Sequence, residues 1–150
     1  MAIRNIIQVG DETLRKKSFE VTVFDEKLHT LLDDMKETLK KANGAGLAGP
    51  QVGVLRRVFV VDVEDGYFEF VNPVIVSSSG TQCGKEGCLS VKGKWGEVTR
   101  PNRVVVRAQD RYGKKFTVTA KEFFARAVCH EYDHLDGILY IDKATSLEDE

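Results

Sequence analysis

Ala120-Lys121-Glu122-Phe123-Phe124-Ala125-Arg126-Ala127-Val128-Cys129-His130-Glu131-Tyr132-Asp133-His134 is the stretch on which the fold turns. Phe123, Phe124, Ala127, Val128 and Glu131 recur at the three- and four-residue steps of one helical face. Thr119 suits the N-cap and Gly137 the stop, so a helix is expected over 120–134. Inside it, His130-Glu131-Tyr132-Asp133-His134 is an H-E-x-x-H pattern. Four helical steps bring a side chain back to within about 40° of its starting direction, so both imidazoles face the same way, one turn apart. Their nitrogens can close on a single metal ion, and Glu131, one residue round, is placed to serve a nearby water. Two ligands and one proton shuttle are the division of labour of a hydrolytic site. The bland alternative is a charged helix end with an incidental histidine pair. Because the chain has only 3 histidines, two of them in this pattern outweigh it.

Two imidazoles need at least one further protein ligand, with a position left for water. No histidine follows His134, and Glu148 and Glu150 lie in a polar tail, so the third ligand is sought upstream. Cys88 stands out in Glu86-Gly87-Cys88-Leu89-Ser90, where its turn-prone neighbours would present it from a loop or strand edge. Cys129 is weaker, because it adjoins His130 and points about 100° away from it. Cys83 has no such context and reads as packing filler. His29, without partner residues around it, reads as a surface or half-buried structural histidine.

The remaining pattern surrounds this helix with strands. From Asp25 to Ala42, Leu28, Leu31, Leu32, Met35, Leu39 and Ala42 keep helical spacing, and Asn43-Gly44 ends the run. Asp11–Lys17 reads as a short helix. Val58–Val63 and Tyr67–Val76, the latter interrupted at Asn72-Pro73, form a hairpin about Glu64-Asp65-Gly66. Further strands are expected at Glu97–Arg100, Val104–Ala108 and Phe116–Thr119, with a turn at Asp110–Gly113. The sum is an α+β fold. Antiparallel strands pack around a long C-terminal helix carrying the H-E-x-x-H motif, with an additional N-terminal amphipathic helix. With no repeat, low-complexity tract or linker, residues 1–150 are expected to form one domain.

Charge narrows the function classes. Over 150 residues, 22 basic side chains balance 23 acidic ones, so bulk charge predicts no strong attraction to nucleic acid or an anionic membrane. No run suits a signal peptide or a membrane span, which makes the cytosol the default compartment. An odd 3 cysteines in such a chain argue against a disulfide framework. Gly44-Ala45-Gly46-Leu47-Ala48-Gly49 matches the dinucleotide-binding spacing literally, yet that site needs a strand before it and a helix after it. Here a helix precedes and Pro50-Gln51-Val52-Gly53 follows, so the glycines are read as letting backbone approach a substrate closely.

Three separated segments resemble the peptide deformylase family: Gly44-Ala45-Gly46-Leu47-Ala48-Gly49-Pro50-Gln51, Glu86-Gly87-Cys88-Leu89-Ser90, and His130-Glu131-Tyr132-Asp133-His134-Leu135. The resemblance spans nearly the whole chain. It implies a metal-dependent hydrolase that removes the N-formyl group from formyl-methionine at the start of nascent polypeptides and releases formate. By the same resemblance, Cys88, His130 and His134 would hold the metal and Glu131 would shuttle the proton. The Gln51 amide and the Leu89 backbone N–H would stabilise the developing negative oxygen. Backbone at Ala45, Gly46 and Gly87 would pair with the extended peptide, and Glu86 and Arg100 would form an internal ion pair. Two departures are visible: Gly49 replaces a common alanine and Cys129 a common glutamine, the latter with an expected packing effect.

One thiolate and two imidazoles suit Zn(II) on chemical grounds. The resemblance implies Fe(II), with Zn(II), Ni(II) or Co(II) able to occupy the same site. It also implies formyl-methionyl nascent peptides as partners, a transient ribosome contact and a bacterial cytosolic location. Many relatives continue into a further C-terminal element, some with basic tails, whereas this chain ends Glu148-Asp149-Glu150, so docking by that route is not expected. The competing functions are a zinc endopeptidase, which leaves the cysteine segment and the glycine loop unexplained, and an inactive peptide-binding relative.

Overall fold

Strand β2 (Val58–Val63) explains the architecture, because its apolar run serves two cores at once. Successive strand residues point to opposite faces. Val58 and Val60 join Leu28, Leu31, Leu32, Met35 and Leu39 of helix α1 (Glu26–Ala42). Phe59 and Val61 join Phe124, Ala125 and Val128 of helix α2 (Glu122–His134) on the other side. Val58–Val61 are covered on both faces and so must be apolar at each position, which is why they do not alternate, while Asp62 beyond them is exposed. Each such fully buried side chain contributes about 1.5–3 kcal/mol.

The computed structural model describes residues 2–149. The other strands are β1 (Gly46–Ala48), β3 (Gly66–Ser79), β4 (Gln82–Cys88), β5 (Val91–Arg100), β6 (Arg103–Gln109), β7 (Lys115–Lys121) and β8 (Ser146–Asp149). They form two antiparallel sheets, ordered β1-β2-β3-β6-β7 and β4-β5-β8. The α+β reading therefore holds, with the five-stranded sheet between the two helices. Short 3-10 turns occupy Glu12–Arg15, Gly49–Val52 and Tyr140–Asp142.

Four details differ from the sequence reading. Helix α2 begins at Glu122 rather than Ala120, because β7 pairs with β6 as far as Lys121 and claims the residues that would have capped it. Glu122 then turns the chain without a loop at a left-handed φ of 57°. The Asn72-Pro73 interruption is a bulge within one continuous strand. Asn72, at φ 51°, bonds both the N–H and the carbonyl of Val21, tying down the segment before α1. Strands β1, β4 and β8 were not anticipated; β8 takes up the polar tail by pairing with β5. Finally, Cys83 is exposed rather than filler, with its sulfur 3.1 Å from Glu97 Oε1 across the β4–β5 ladder.

The two sheets leave β1 and β4 as free edges near α2, and the N-terminal segment ties their neighbourhoods together. Ile7 N–H bonds the Gln51 carbonyl and Val9 N–H bonds the Ser90 carbonyl. Gln8 Nε2 donates to the Leu89 carbonyl at 3.0 Å. These bonds set the glycine-rich segment and the cysteine segment at fixed heights over the helix.

Candidate metal centre

Cys88 closes β4 immediately before the two-residue turn Leu89-Ser90 into β5, where it pairs with Val91. A bulge between Glu86 and Cys88 leaves Gly87 out of the register and aims the sulfur at α2. There it meets His134, at 3.4 Å from Sγ to Nε2. Cys88, His130 and His134 each offer one ligand atom, all within 4.8 Å of one another. Ligand atoms around a tetrahedral ion sit about 3.3–3.6 Å apart, so small rotations close this set. No fourth His, Cys, Asp or Glu joins the group among the described residues, which is the donor count of a catalytic rather than a structural site.

The surroundings fit a metal as well as the donors do. His130 Nδ1 lies 2.9 Å from Glu86 Oε1, which fixes the tautomer and leaves Nε2 for the ion. Glu86 is held in turn by Arg100 through Nε and Nη2, each at 2.9 Å, so the ion pair expected from the resemblance is present and buried. Arg100 Nη1 reaches Asp133 at 2.7 Å. His29 is half-buried, its Nε2 2.9 Å from the Arg111 carbonyl, a structural role as expected. Cys129 is buried in the α2 core, and burial pushes its thiol up to about 11, so it stays protonated and inert at neutral pH.

Electrostatics separate the titratable groups by task. Burial alone would raise the Glu86 pKa, but hydrogen bonds from Arg100 and His130 win and hold it at about 2. Glu131 has no such donors. Burial pushes it up to about 7, and its Oε1 has no hydrogen-bond partner. Burial disfavours the His130 cation, yet the Glu131 and Glu86 carboxylates and the Cys88 sulfur hold its pKa well above the ordinary value. Burial and the neighbouring His130 charge hold His134 well below. A divalent ion at Nε2 of both rings would displace the His130 proton, the usual coupling of metal binding to proton release.

Glycine and glutamine complete the site. A Cβ on Gly46 would lie 2.6 Å from Glu131 Oε2, so any side chain here would have to displace the buried carboxylate or lift β1. Gln51 Oε1 accepts from the Ala48 N–H at 2.9 Å, which orients the amide. Its Nε2 therefore faces Ser90 Oγ at 3.0 Å and Cys88 Sγ at 3.6 Å. A cleft of about 310 Å³ opens here, lined among others by Ala45, Gly46, Gln51, Gly87, Leu89 and Glu131. All the candidate residues from the sequence thus converge on one place. The Gly44–Gly49 run enters a strand and a 3-10 turn, with no phosphate-binding helix after it.

Sequence reasoning gave no role to Ser90, Arg126 or Asp133. Ser90 is fully buried against the Gln51 amide. Arg126 lies four residues before His130 and its Nη1 contacts Glu86 Oε2 at 2.5 Å. A charged residue continuing the histidine stripe one turn earlier was the available signal.

Three soft or borderline donors beside a buried carboxylate with one unpaired oxygen define a mononuclear metal-dependent hydrolase. The family model for polypeptide deformylase matches residues 3–150, and the chain belongs to the peptide deformylase family. It is 59% identical over 150 residues to a peptide deformylase of Acetivibrio thermocellus, covering 100% of this chain and 88% of that one. A peptide deformylase of Caldicellulosiruptor bescii is 57% identical, with 95% and 86% covered. Among solved structures, the peptide deformylase of Thermotoga maritima superposes with a TM-score of 0.94 at 38% identity, covering 96% of this chain and 99% of that one. That of Ehrlichia chaffeensis in complex with actinonin gives 0.94 at 36% identity, covering 97% and 91%.

Proposed function

We propose that residues 1–150 act as one catalytic domain that hydrolyses the N-formyl group from formyl-methionine at the start of new polypeptides. The observation that carries this reading is the convergence of Cys88, His130 and His134 beside buried Glu131, in a cleft between two free strand edges. A divalent ion held by those three residues supplies Lewis acidity and brings the pKa of water close to neutrality.

The chain's own groups do the rest. The Ala45 carbonyl is taken by the Asp62 N–H. The alternation of an antiparallel edge then turns the N–H and carbonyl of Gly46 outward, where an extended peptide can pair with them. Gly87, outside the β4–β5 register, offers backbone from the opposite wall. The methionine side chain would be taken by the apolar part of the lining, which includes Gly44, Leu89, Phe123 and Ala127. Glu131, with a pKa near neutrality, takes a proton from the attacking water and returns it to the departing amine. The Gln51 Nε2 N–H that faces Cys88 Sγ at 3.6 Å would turn to the formyl oxygen, and with the backbone N–H of Leu89 it would donate to that oxygen as it turns negative. With Gly46, Gln51 and Leu89 close around that carbon, the pocket excludes acetyl; equal turnover of acetyl- and formyl-methionyl peptides would refute this.

We assign Fe(II) as the native ion, with Zn(II), Ni(II) and Co(II) as substitutes; metal analysis of anaerobically purified protein tests it. A substrate still emerging from synthesis implies the bacterial cytosol and a transient ribosome contact. The function itself is tested by formate release from formyl-Met-Ala-Ser. Release is expected to stop with a chelator and return with added Fe(II). Cleavage of internal peptide bonds in unformylated substrate, without formate release, would instead mark an endopeptidase.

A further inference from the structure

Arg126, His130 and His134 stand at four-residue intervals on one face of α2, so the metal-binding stripe begins a turn earlier than the motif does. Glu86 bridges the first two. Its Oε1 accepts from His130 Nδ1 and Arg100 Nη2, both at 2.9 Å. Its Oε2 accepts from Arg100 Nε at 2.9 Å and Arg126 Nη1 at 2.5 Å. A carboxylate has about four acceptor positions, and four donors fill them, leaving Glu86 a single orientation. Arg100 grips both oxygens from one side while its third nitrogen holds Asp133 at 2.7 Å, and Arg126 adds a second hold on Oε2 from α2. Arg126 Nη1 also reaches the carbonyls of Gly84 at 3.3 Å and Val98 at 3.1 Å, cross-strand partners in β4 and β5. It therefore fastens to α2 the strand that delivers Cys88.

We propose that Arg126 is a positioning residue for the metal. By clamping Glu86 against His130 and β4 against α2, it sets the direction of His130 Nε2 and the height of Cys88 together. This inference rests on the reading that Cys88, His130 and His134 hold the ion. Loss of a group that orients a metal-ligating histidine costs about 10–100-fold in metal affinity.

The test measures Zn(II) affinity of the full chain by competition with a chromophoric chelator, and the visible spectrum of the Co(II) form. Arg126→Gln is expected to weaken Zn(II) binding by about 10–100-fold and to shift the Co(II) bands. Arg126→Lys keeps the charge but loses the fork, so it should lose less, about 3–10-fold. In a Glu86→Gln background both effects should shrink clearly, because the part acting through Glu86 is already lost and only the Gly84 and Val98 carbonyl contacts remain. A purely structural brace would instead add its full cost in either background, and that result overturns the proposal. Zn(II) affinity of Arg126→Gln within about threefold of the parent, with unchanged Co(II) bands, also overturns it. Should Arg126→Gln fail to fold, the Arg126→Lys loss and its reduction with Glu86→Gln decide the matter, and a Lys variant equal to the parent counts against it. A parent chain that binds Zn(II) no better than Cys88→Ala would defeat the metal reading and this inference with it.

Discussion

Substituting Gly46→Ala tests the geometry of the site with one methyl group. The added Cβ would stand 2.6 Å from Glu131 Oε2 and 2.8 Å from its Cδ and Cγ. Ordinary carbon–carbon contact is about 3.5–4.0 Å, so either the carboxylate or strand β1 must give by roughly 0.7–1 Å. Strand β1 is pinned through its register with β2, Gly46 to Val61, Leu47 to Val60 and Ala48 to Phe59. The carboxylate moves more easily, since its Oε1 has no hydrogen-bond partner. A misplacement of about 1 Å in a catalytic group costs on the order of 100-fold, equivalent to about 2.7 kcal/mol in the barrier. The expected result is a kcat for formate release lowered about 30–100-fold, with one metal still bound per chain, because none of the three ligands is touched. Overpacking should also lower stability by about 1–3 kcal/mol, readable as a shifted urea midpoint. A variant keeping kcat within about threefold of the parent would refute the claim that glycine at 46 exists to clear the base.

Glu131→Gln should lower kcat by about 10²–10⁴-fold while metal content by atomic absorption stays at the parent value; joint loss of metal would make Glu131 a ligand instead. Gln51→Leu removes the oriented amide donor, and kcat should drop about 10²–10³-fold with a smaller change in KM. A stability test uses Asp34, whose pKa is lowered chiefly by the Ala2 N–H at 2.8 Å and further by Arg4, against the opposing effect of burial. A folded-state pKa below the ordinary 3.8 means its stabilisation is present above that value and disappears as pH falls through the folded pKa. Thermal midpoints should therefore decline less steeply in acid for Asp34→Asn than for the parent; parallel curves from pH about 5 to 2 would rule out the contribution.

The extent to which each part was readable follows from how local its cause is. The α1 and α2 faces, the β2–β3 hairpin and the turn at Asp110–Gly113 rest on periodicity and turn chemistry within a few residues. Strand β4 did not announce itself. Gln82-Cys83-Gly84-Lys85-Glu86-Gly87-Cys88 has two glycines and two charges, low intrinsic strand preference, and becomes a strand only because β5 pairs with it. Ala120 and Lys121 were read as helix for the converse reason: β6 recruits them into β7 against the local pattern. Cys83 was assigned to packing because free cysteine usually is, but strand alternation at an unforeseen edge turned it outward.

The site divides along the same line. Within one helix the backbone repeat fixes direction, so His130, Glu131 and His134 could be assigned roles from spacing alone. The sequence also singled out Cys88 by type and context, and Gln51 through the resemblance to the family. Their meeting depended on a bulge at Gly87, the Ala48–Gln51 hydrogen bond, and the N-terminal segment that stitches both to the core. The resemblance implied the Glu86–Arg100 pair, but the grip of Arg126 on Glu86 was decided by the tertiary structure. The four-residue stripe places Arg126 beside His130 on α2, but nothing in the chain says that both meet a carboxylate 40 or more positions away; only the packed sheets bring Glu86 to them.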